Sequence, residues 1–147
     1  DAVEKGNALR YGGFDELVIN KLDALTSDNN TLDSLKICVA YKNEFGKLIY
    51  DVPRNEETRK KLLPVYENLD YWTDDLQTID KFEQFPKEAK KYIARMITSI
   101  INAAYGDKWK KRVLPNVKFI GIGPDPKQLV RDIPSTSDFM SNKIDLN

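Results

Sequence analysis

Residues 17–23 read Leu17, Val18, Ile19, Asn20, Lys21, Leu22, Asp23 (LVINKLD), an apolar run that gives way to an amide, a cation and a carboxylate. The pattern predicts a β-strand over residues 17–21 that ends in a polar cluster. In open α/β sheets, small molecules bind in the crevice beyond the carboxyl ends of the strands. The stretch therefore sets the expected fold class and also says where to look for a site.

The flanking sequence supports the same class. Upstream, DAVEKGNALRYGG has an acidic N-cap at Asp1 and a stop at Gly12 and Gly13, which predicts a helix. Downstream, TSDNNTLDS (residues 26–34) is rich in turn formers and reads as a loop. Residues 35–41 predict a second strand, and NEFG separates it from KLIYDVP, as in a β-hairpin with Gly46 in the turn and Pro53 ending the strand. LLPVYENLDYW carries Leu63, Val65, Tyr66, Leu69 and Trp72, which would cover the sheet without regular structure. In PKEAKKYIARMITSIINAAYG, Ala89, Tyr92, Ile93, Met96, Ile97, Ile100, Ile101 and Ala104 share one helical face, with Pro86 suited to the first turn and Gly106 to the stop. This helix is expected to pack on the sheet. VKFIGIGPDP then predicts a strand through Val117, Phe119 and Ile120, broken by Gly121, Gly123 and Pro124. The last residues, 135–147, form a polar tail, either docked or loose. The expected class is α/β, a mixed, largely parallel sheet with a β-hairpin and packing helices.

Composition narrows the function. The 147 residues are 41% hydrophobic, enough for one domain with a real core. Lys plus Arg and Asp plus Glu are 23 each, so no global field draws the chain to nucleic acid or an anionic membrane. The basic run KWKKR (residues 108–112) follows a helix C-terminus, where the helix dipole already accounts for cations. The single cysteine, Cys38, lies in ICVAY as a small hydrophobe; it excludes an intrachain disulfide framework and suits a cytoplasmic protein. No run approaches the roughly 18 apolar residues of a membrane span, and no signal-peptide layout opens the chain. Histidine is absent, which removes the commonest general base and metal ligand, and no GxxxxGK phosphate loop is present. The chemistry visible here is therefore thin. The start at Asp1, without a methionine and directly into a helix, suggests a piece of something longer.

The two broken strands suggest a ligand. Guanine presents adjacent donors, its ring N1–H and exocyclic amine, and a carboxylate such as that of Asp23 accepts both at once. Adenine offers an acceptor and a C–H at that edge and would leave the carboxylate dehydrated and unpaired. Lys21 would lay its stem along the base or ribose. Gly121 and Gly123 leave room for a flat ring to approach the backbone. Blander readings stay open: Asp23 as a helix cap or turn residue, Lys21 as a solvated strand end, and GIGPD as a strand-terminating turn.

A resemblance runs through the same residues. In order, DAV, NKLDAL, LKICVAY, PVYE, a tryptophan, YI, GIGPD and RD resemble the C-terminal third of the adenylosuccinate synthetases, over Asp1 to about Pro134. The family's TKLDVL, KVCVAY, PVYE-to-tryptophan, VGPDR and Arg-Asp blocks correspond here to residues 20–25, residues 36–41, residues 64–67 with Trp72, residues 121–125, and Arg131 with Asp132. Asn20 stands where threonine is usual, Gly121 where a hydroxyl is common, and Pro126 where arginine often follows.

The resemblance implies the C-terminal part of a larger P-loop-related α/β domain, with residues 1–134 as its guanine-binding part and 135–147 as the tail. It implies a GTP-dependent ligase of purine biosynthesis that phosphorylates the 6-oxygen of IMP so that the amine of L-aspartate displaces phosphate. It further implies Mg2+ and a homodimer in the complete enzyme, and guanine contacts from Asn20, Lys21, Asp23, Gly121, Gly123 and Pro124. The family's catalytic aspartate and histidine, phosphate loop and Mg2+ ligands belong to its N-terminal part, so this chain alone is not expected to form adenylosuccinate. A related branch uses a deoxyguanylate acceptor. The alternative is a non-catalytic guanine-nucleotide-binding or dimerisation module.

Overall fold

Helix α1 (Ala2–Gly12) begins where the Asp1 carboxylate accepts the Glu4 N–H at 3.0 Å, and ends where Gly13 takes the left-handed conformation at φ 64°. The computed structural model describes residues 1–28 and 34–147, so the middle of the loop expected over residues 26–34 lies outside the described residues. Strand β1 (Glu16–Ile19) follows and runs into a 3-10 turn, Leu22–Leu25. The strand stops two residues earlier than the sequence suggests, because Lys21 is left-handed at φ 56° and cannot continue an extended chain.

The expected hairpin joins β2 (Leu35–Lys42) to a short β3 (Leu48–Ile49). Gly46 has φ 78° in its turn, where the Asn43 side chain also accepts the Phe45 and Lys47 N–H groups. The charged stretch before residue 62 holds helix α2 (Glu56–Lys60), capped by the Asn55 side chain on Thr58 N–H. The segment expected to be irregular is in fact strand β4 (Leu63–Leu69), antiparallel to β2 with Leu35 opposite Leu69 and Lys42 opposite Leu63. Two residues hid it. Pro64 lacks an N–H but sits on an edge strand, where that is tolerated. Glu67 interrupts the apolar alternation of Val65 and Leu69, yet belongs to the same face because Arg95 receives it.

Helix α3 (Lys87–Tyr105) has the predicted extent, with Pro86 as its N-cap and Gly106 as its C-cap. It continues into a 3-10 stretch, Gly106–Lys111. Strand β5 (Asn116–Gly121) is parallel to β1, and a two-residue β6 (Leu129–Val130), too short to read in sequence, pairs antiparallel with β5. Helix α4 (Thr136–Met140) closes the chain. The tail is docked: Thr136 is fully buried, its hydroxyl donates to the Pro115 carbonyl at 2.6 Å, and Phe139 packs edge-on against Phe82.

The mixed α/β class expected from the sequence is observed, the described residues forming two three-stranded sheets ordered β1-β5-β6 and β3-β2-β4. Among the described residues parallel pairing is confined to β1 with β5, less than expected, because the hairpin and β4 build a separate antiparallel sheet. Helix α3 serves both. Its first half (Ala89, Ile93, Ile97) joins a core with Trp72, Val117, Ile120, Ile122 and Val130. Its second half (Ile100, Ile101, Ala104) joins another with Ala2, Leu9 and Ile37. Arg95 grips Glu67 of β4 through Nε at 2.8 Å to both carboxylate oxygens and through Nη2 at 2.6 Å, tying α3 to the antiparallel sheet. No helix among the described residues is long and apolar enough to cross a membrane.

Candidate functional site

The parallel register fixes the site. Ile19 stands opposite Ile120, so the chains leave β1 and β5 side by side, with Asn20 beside Gly121. A Cβ added at Gly121 would lie 3.5 Å from both Asn20 Oδ1 and the Lys21 nitrogen. Both polar motifs therefore emerge at the carboxyl end of one parallel pair, which is where an α/β sheet opens a crevice.

An open cleft of about 410 Å³ occupies this place, and Asn20, Lys21, Asp23, Gly121, Gly123 and Pro124 all line it. The structure thus brings together all six residues singled out in the sequence. Ala24, Asp125, Pro126 and Leu129 complete the lining. Asp125 stands inside the quoted GIGPD and Ala24 follows Asp23, but the place of Leu129 depends on β6, which has no readable signal.

Asp23 is the telling residue. Its Oδ1 is buried and has no hydrogen-bond partner among the described residues. It caps no helix, since the residue ahead of the 3-10 turn is Lys21, which makes no side-chain cap bond. The turn is closed by backbone instead, with Ala24 N–H on the Lys21 carbonyl and Thr26 N–H on the Asp23 carbonyl, both at 3.1 Å. A buried carboxylate oxygen without a donor costs free energy that a ligand bearing N–H groups would recover. Lys21, exposed and left-handed, carries backbone strain of about 1–2 kcal/mol for a residue with a Cβ. Strain of this kind concentrates where a side chain must be aimed.

The opposite wall is the turn between β5 and β6. Ile122 N–H donates to the Gln128 carbonyl at 3.0 Å, Asp125 N–H to Gln128 Oε1 at 2.9 Å, and Lys127 N–H to Asp125 Oδ1 at 2.8 Å. Pro124 and Pro126 have no N–H. Within residues 122–127 the Gly123 N–H is left without an acceptor among the described residues. The space that a side chain would fill at Gly123 is not open to a ring, as the sequence suggested, because the Gln128 carboxamide fills it.

A larger cleft, about 680 Å³, lies between α1, β2 and the end of α3. Its arginines are largely committed: Arg10 to Asp51 at 3.3 Å, Arg95 to Glu67, and Arg112 over the Tyr105 ring. Trp109 of the basic run packs against the second core. Among the described residues, no group of three or more His, Cys, Asp or Glu side chains stands close enough to hold a metal ion.

Comparison with known proteins gives one consistent result. The profile of the family described as "Adenylosuccinate synthetase" matches residues 1–129. An adenylosuccinate synthetase of Bacillus thuringiensis (strain Al Hakam) is 40% identical over 96 residues, which is 65% of this chain and 21% of that protein. One from Staphylococcus aureus (strain N315) is 32% identical over 128 residues, 87% of this chain and 26% of that protein. A solved structure, a fully ligated adenylosuccinate synthetase from Plasmodium falciparum, superposes with a TM-score of 0.64 at 28% identity, covering 82% of this chain and 25% of that one. The chain spans about a quarter of the length of these relatives.

Proposed function

The chain belongs to the adenylosuccinate synthetase family, and from that premise we propose that its cleft recognises the guanine of GTP for a ligase that joins IMP to L-aspartate. The observation that carries the reading is the buried Asp23 Oδ1, without a hydrogen-bond partner among the described residues, in a cleft ringed by Asn20, Lys21, Gly121, Gly123 and Pro124.

Each group has a part. The Asp23 carboxylate accepts the guanine N1–H and exocyclic amine, the Lys21 stem covers the base or ribose, and the Gly123 N–H is available to the base's remaining acceptor edge. Charge-assisted hydrogen bonds contribute about 1.5–3 kcal/mol each. Losing one therefore costs at least about tenfold in affinity, and adenine loses both. These residues bind and orient; none of them moves a proton or attacks a substrate.

In this reading the phosphates, IMP and L-aspartate are held elsewhere in a longer protein, which works as a homodimer. Mg2+ supplies charge stabilisation at the phosphates in this family. The described residues offer no donor cluster for it.

Titration of the chain with guanosine and adenosine, followed by amide NMR shifts, tests the proposal. Guanosine should bind with shifts centred on residues 20–24 and 121–125, and Asp23→Asn should erase the preference without lowering the thermal midpoint. An unchanged guanine preference in Asp23→Asn would refute the role of Asp23. Turnover of GTP, IMP and L-aspartate by the purified chain would refute the claim that the catalytic groups lie elsewhere.

A further inference from the structure

We infer that Gln128 is a positioning residue for the cleft, and that position 123 is glycine so that the Gln128 carboxamide can reach across it. The inference rests on the guanine reading above and adds to it a residue outside the cleft lining.

Gln128 ties the turn together at three points. Its carbonyl accepts the Ile122 N–H at 3.0 Å, its N–H donates to the Asp125 carbonyl at 2.9 Å, and its Oε1 accepts the Asp125 N–H at 2.9 Å. The first two are backbone bonds that any residue could make. The third belongs to the side chain, and it closes a ring around Gly123, Pro124 and Asp125. A weaker contact at 3.5 Å runs from Nε2 to the Gln77 carbonyl and anchors the carboxamide to the preceding segment.

The glycine follows from this ring. A Cβ built at Gly123 would overlap the carboxamide carbon and oxygen of Gln128 and come within 2.9 Å of its Nε2. The obstacle is the far end of a flexible side chain, so an alanine there would evict the carboxamide and leave the backbone in place. Gly121 is different, since its added Cβ would meet only ordinary contacts at 3.5 Å. The two glycines of GIGPD therefore do separate jobs. Gly121 stands at the strand end beside Asn20, whereas Gly123 gives room to a latch.

The latch matters for the ligand because it commits the last backbone donor of this wall but one. With Ile122 and Asp125 bound to Gln128, Lys127 bound to Asp125, and two prolines between them, the Gly123 N–H is what remains to face a base. Without the carboxamide, the Asp125 N–H is released and the Gly123–Pro124 peptide is no longer held at a fixed distance from Asp23.

The steric and hydrogen-bonding halves of this inference are tested together by Gln128→Ala, Gly123→Ala, the double variant and Gln128→Glu. We expect Gln128→Ala and Gly123→Ala to weaken guanosine binding to a similar degree, about five- to tenfold for one side-chain hydrogen bond, with thermal midpoints unchanged. The double variant should bind as either single one does, because both remove the same latch. Gln128→Glu keeps an oxygen for the Asp125 N–H and should retain the affinity. Inosine, which lacks the exocyclic amine, should lose affinity in parallel with guanosine in the latch variants, whereas Asp23→Asn should abolish the difference between the two. Losses that multiply in the double variant, wild-type affinity in Gln128→Ala, or a midpoint that falls in step with affinity would each overturn the inference. Absence of guanosine binding in the wild-type chain would instead overturn the guanine reading itself.

Discussion

Trp72 donates its indole N–H to Thr26 Oγ1 at 2.9 Å, and the Trp72 carbonyl accepts the Ser27 N–H at the same distance. A side chain that is 2% exposed thereby fastens the segment leaving the Asp23 turn to the chain leaving β4. The cleft is held from behind by a residue that never touches it. Trp72→Phe removes the donor and leaves a gap beside Tyr92, and we expect a loss of about 2–3 kcal/mol. Denaturant unfolding checks the size; a loss below about 0.5 kcal/mol would show that Thr26 is held by other means.

Gly6 lies mid-helix in α1, where intrinsic propensity favours alanine by roughly 0.5–1 kcal/mol. Packing opposes it. A Cβ there would stand 2.6 Å from Ala103 Cβ and 2.7 Å from the Ile100 carbonyl of α3. Backbone cannot swing aside as a side chain can, so we expect overpacking to win and Gly6→Ala to destabilise by about 1–3 kcal/mol. A rise in the urea midpoint would show that α1 and α3 move apart freely.

Lys21 allows strain and binding to be separated. Replacing it with glycine removes the Cβ that makes φ 56° costly, and we expect stability to hold or rise by up to about 1 kcal/mol. In the guanine reading guanosine affinity should fall, because the stem proposed to cover the base is gone. A variant that loses stability while keeping affinity would contradict both halves of the expectation.

Alkaline pH should loosen the fold through Tyr92. Burial raises its hydroxyl above the ordinary tyrosine value near 10, favouring the neutral form in the folded chain. In the unfolded chain the phenol releases its proton first, so the folded state holds more protons as pH climbs past 10, and stability falls there. The contribution is complete below pH 10 and disappears as pH passes the raised folded value. Thermal midpoints between pH 8 and 11 should drop less in Tyr92→Phe than in the parent chain. Equal slopes would exclude Tyr92 as the source. Tyr41, raised by burial and by neighbouring Cys38 and Glu4, acts in the same direction.

What the sequence disclosed depended on whether a local pattern had a single cause. Helix α3 was readable because its apolar positions repeat along one face and its ends carry Pro86 and Gly106. The six cleft residues were readable because two strands break at polar or glycine-rich points, and the parallel register then sets those breaks side by side. Strand β4 was hidden because Glu67 on its inward face looks like solvent exposure until Arg95 is found opposite it. The purpose of Gly123 could not be read either. A missing Cβ leaves room, but only the fold reveals that Gln128, and not a ligand, takes that room.

Helix α3 is the common wall of both apolar interiors, and Tyr92 borders the two at once. The halves of the molecule therefore cannot melt independently without exposing that wall. Amide protons along its middle turns should exchange with solvent only when the whole domain opens. Damage to the antiparallel half would then reach the Asp23 end of the molecule as a smaller folded population, with no local distortion of the cleft.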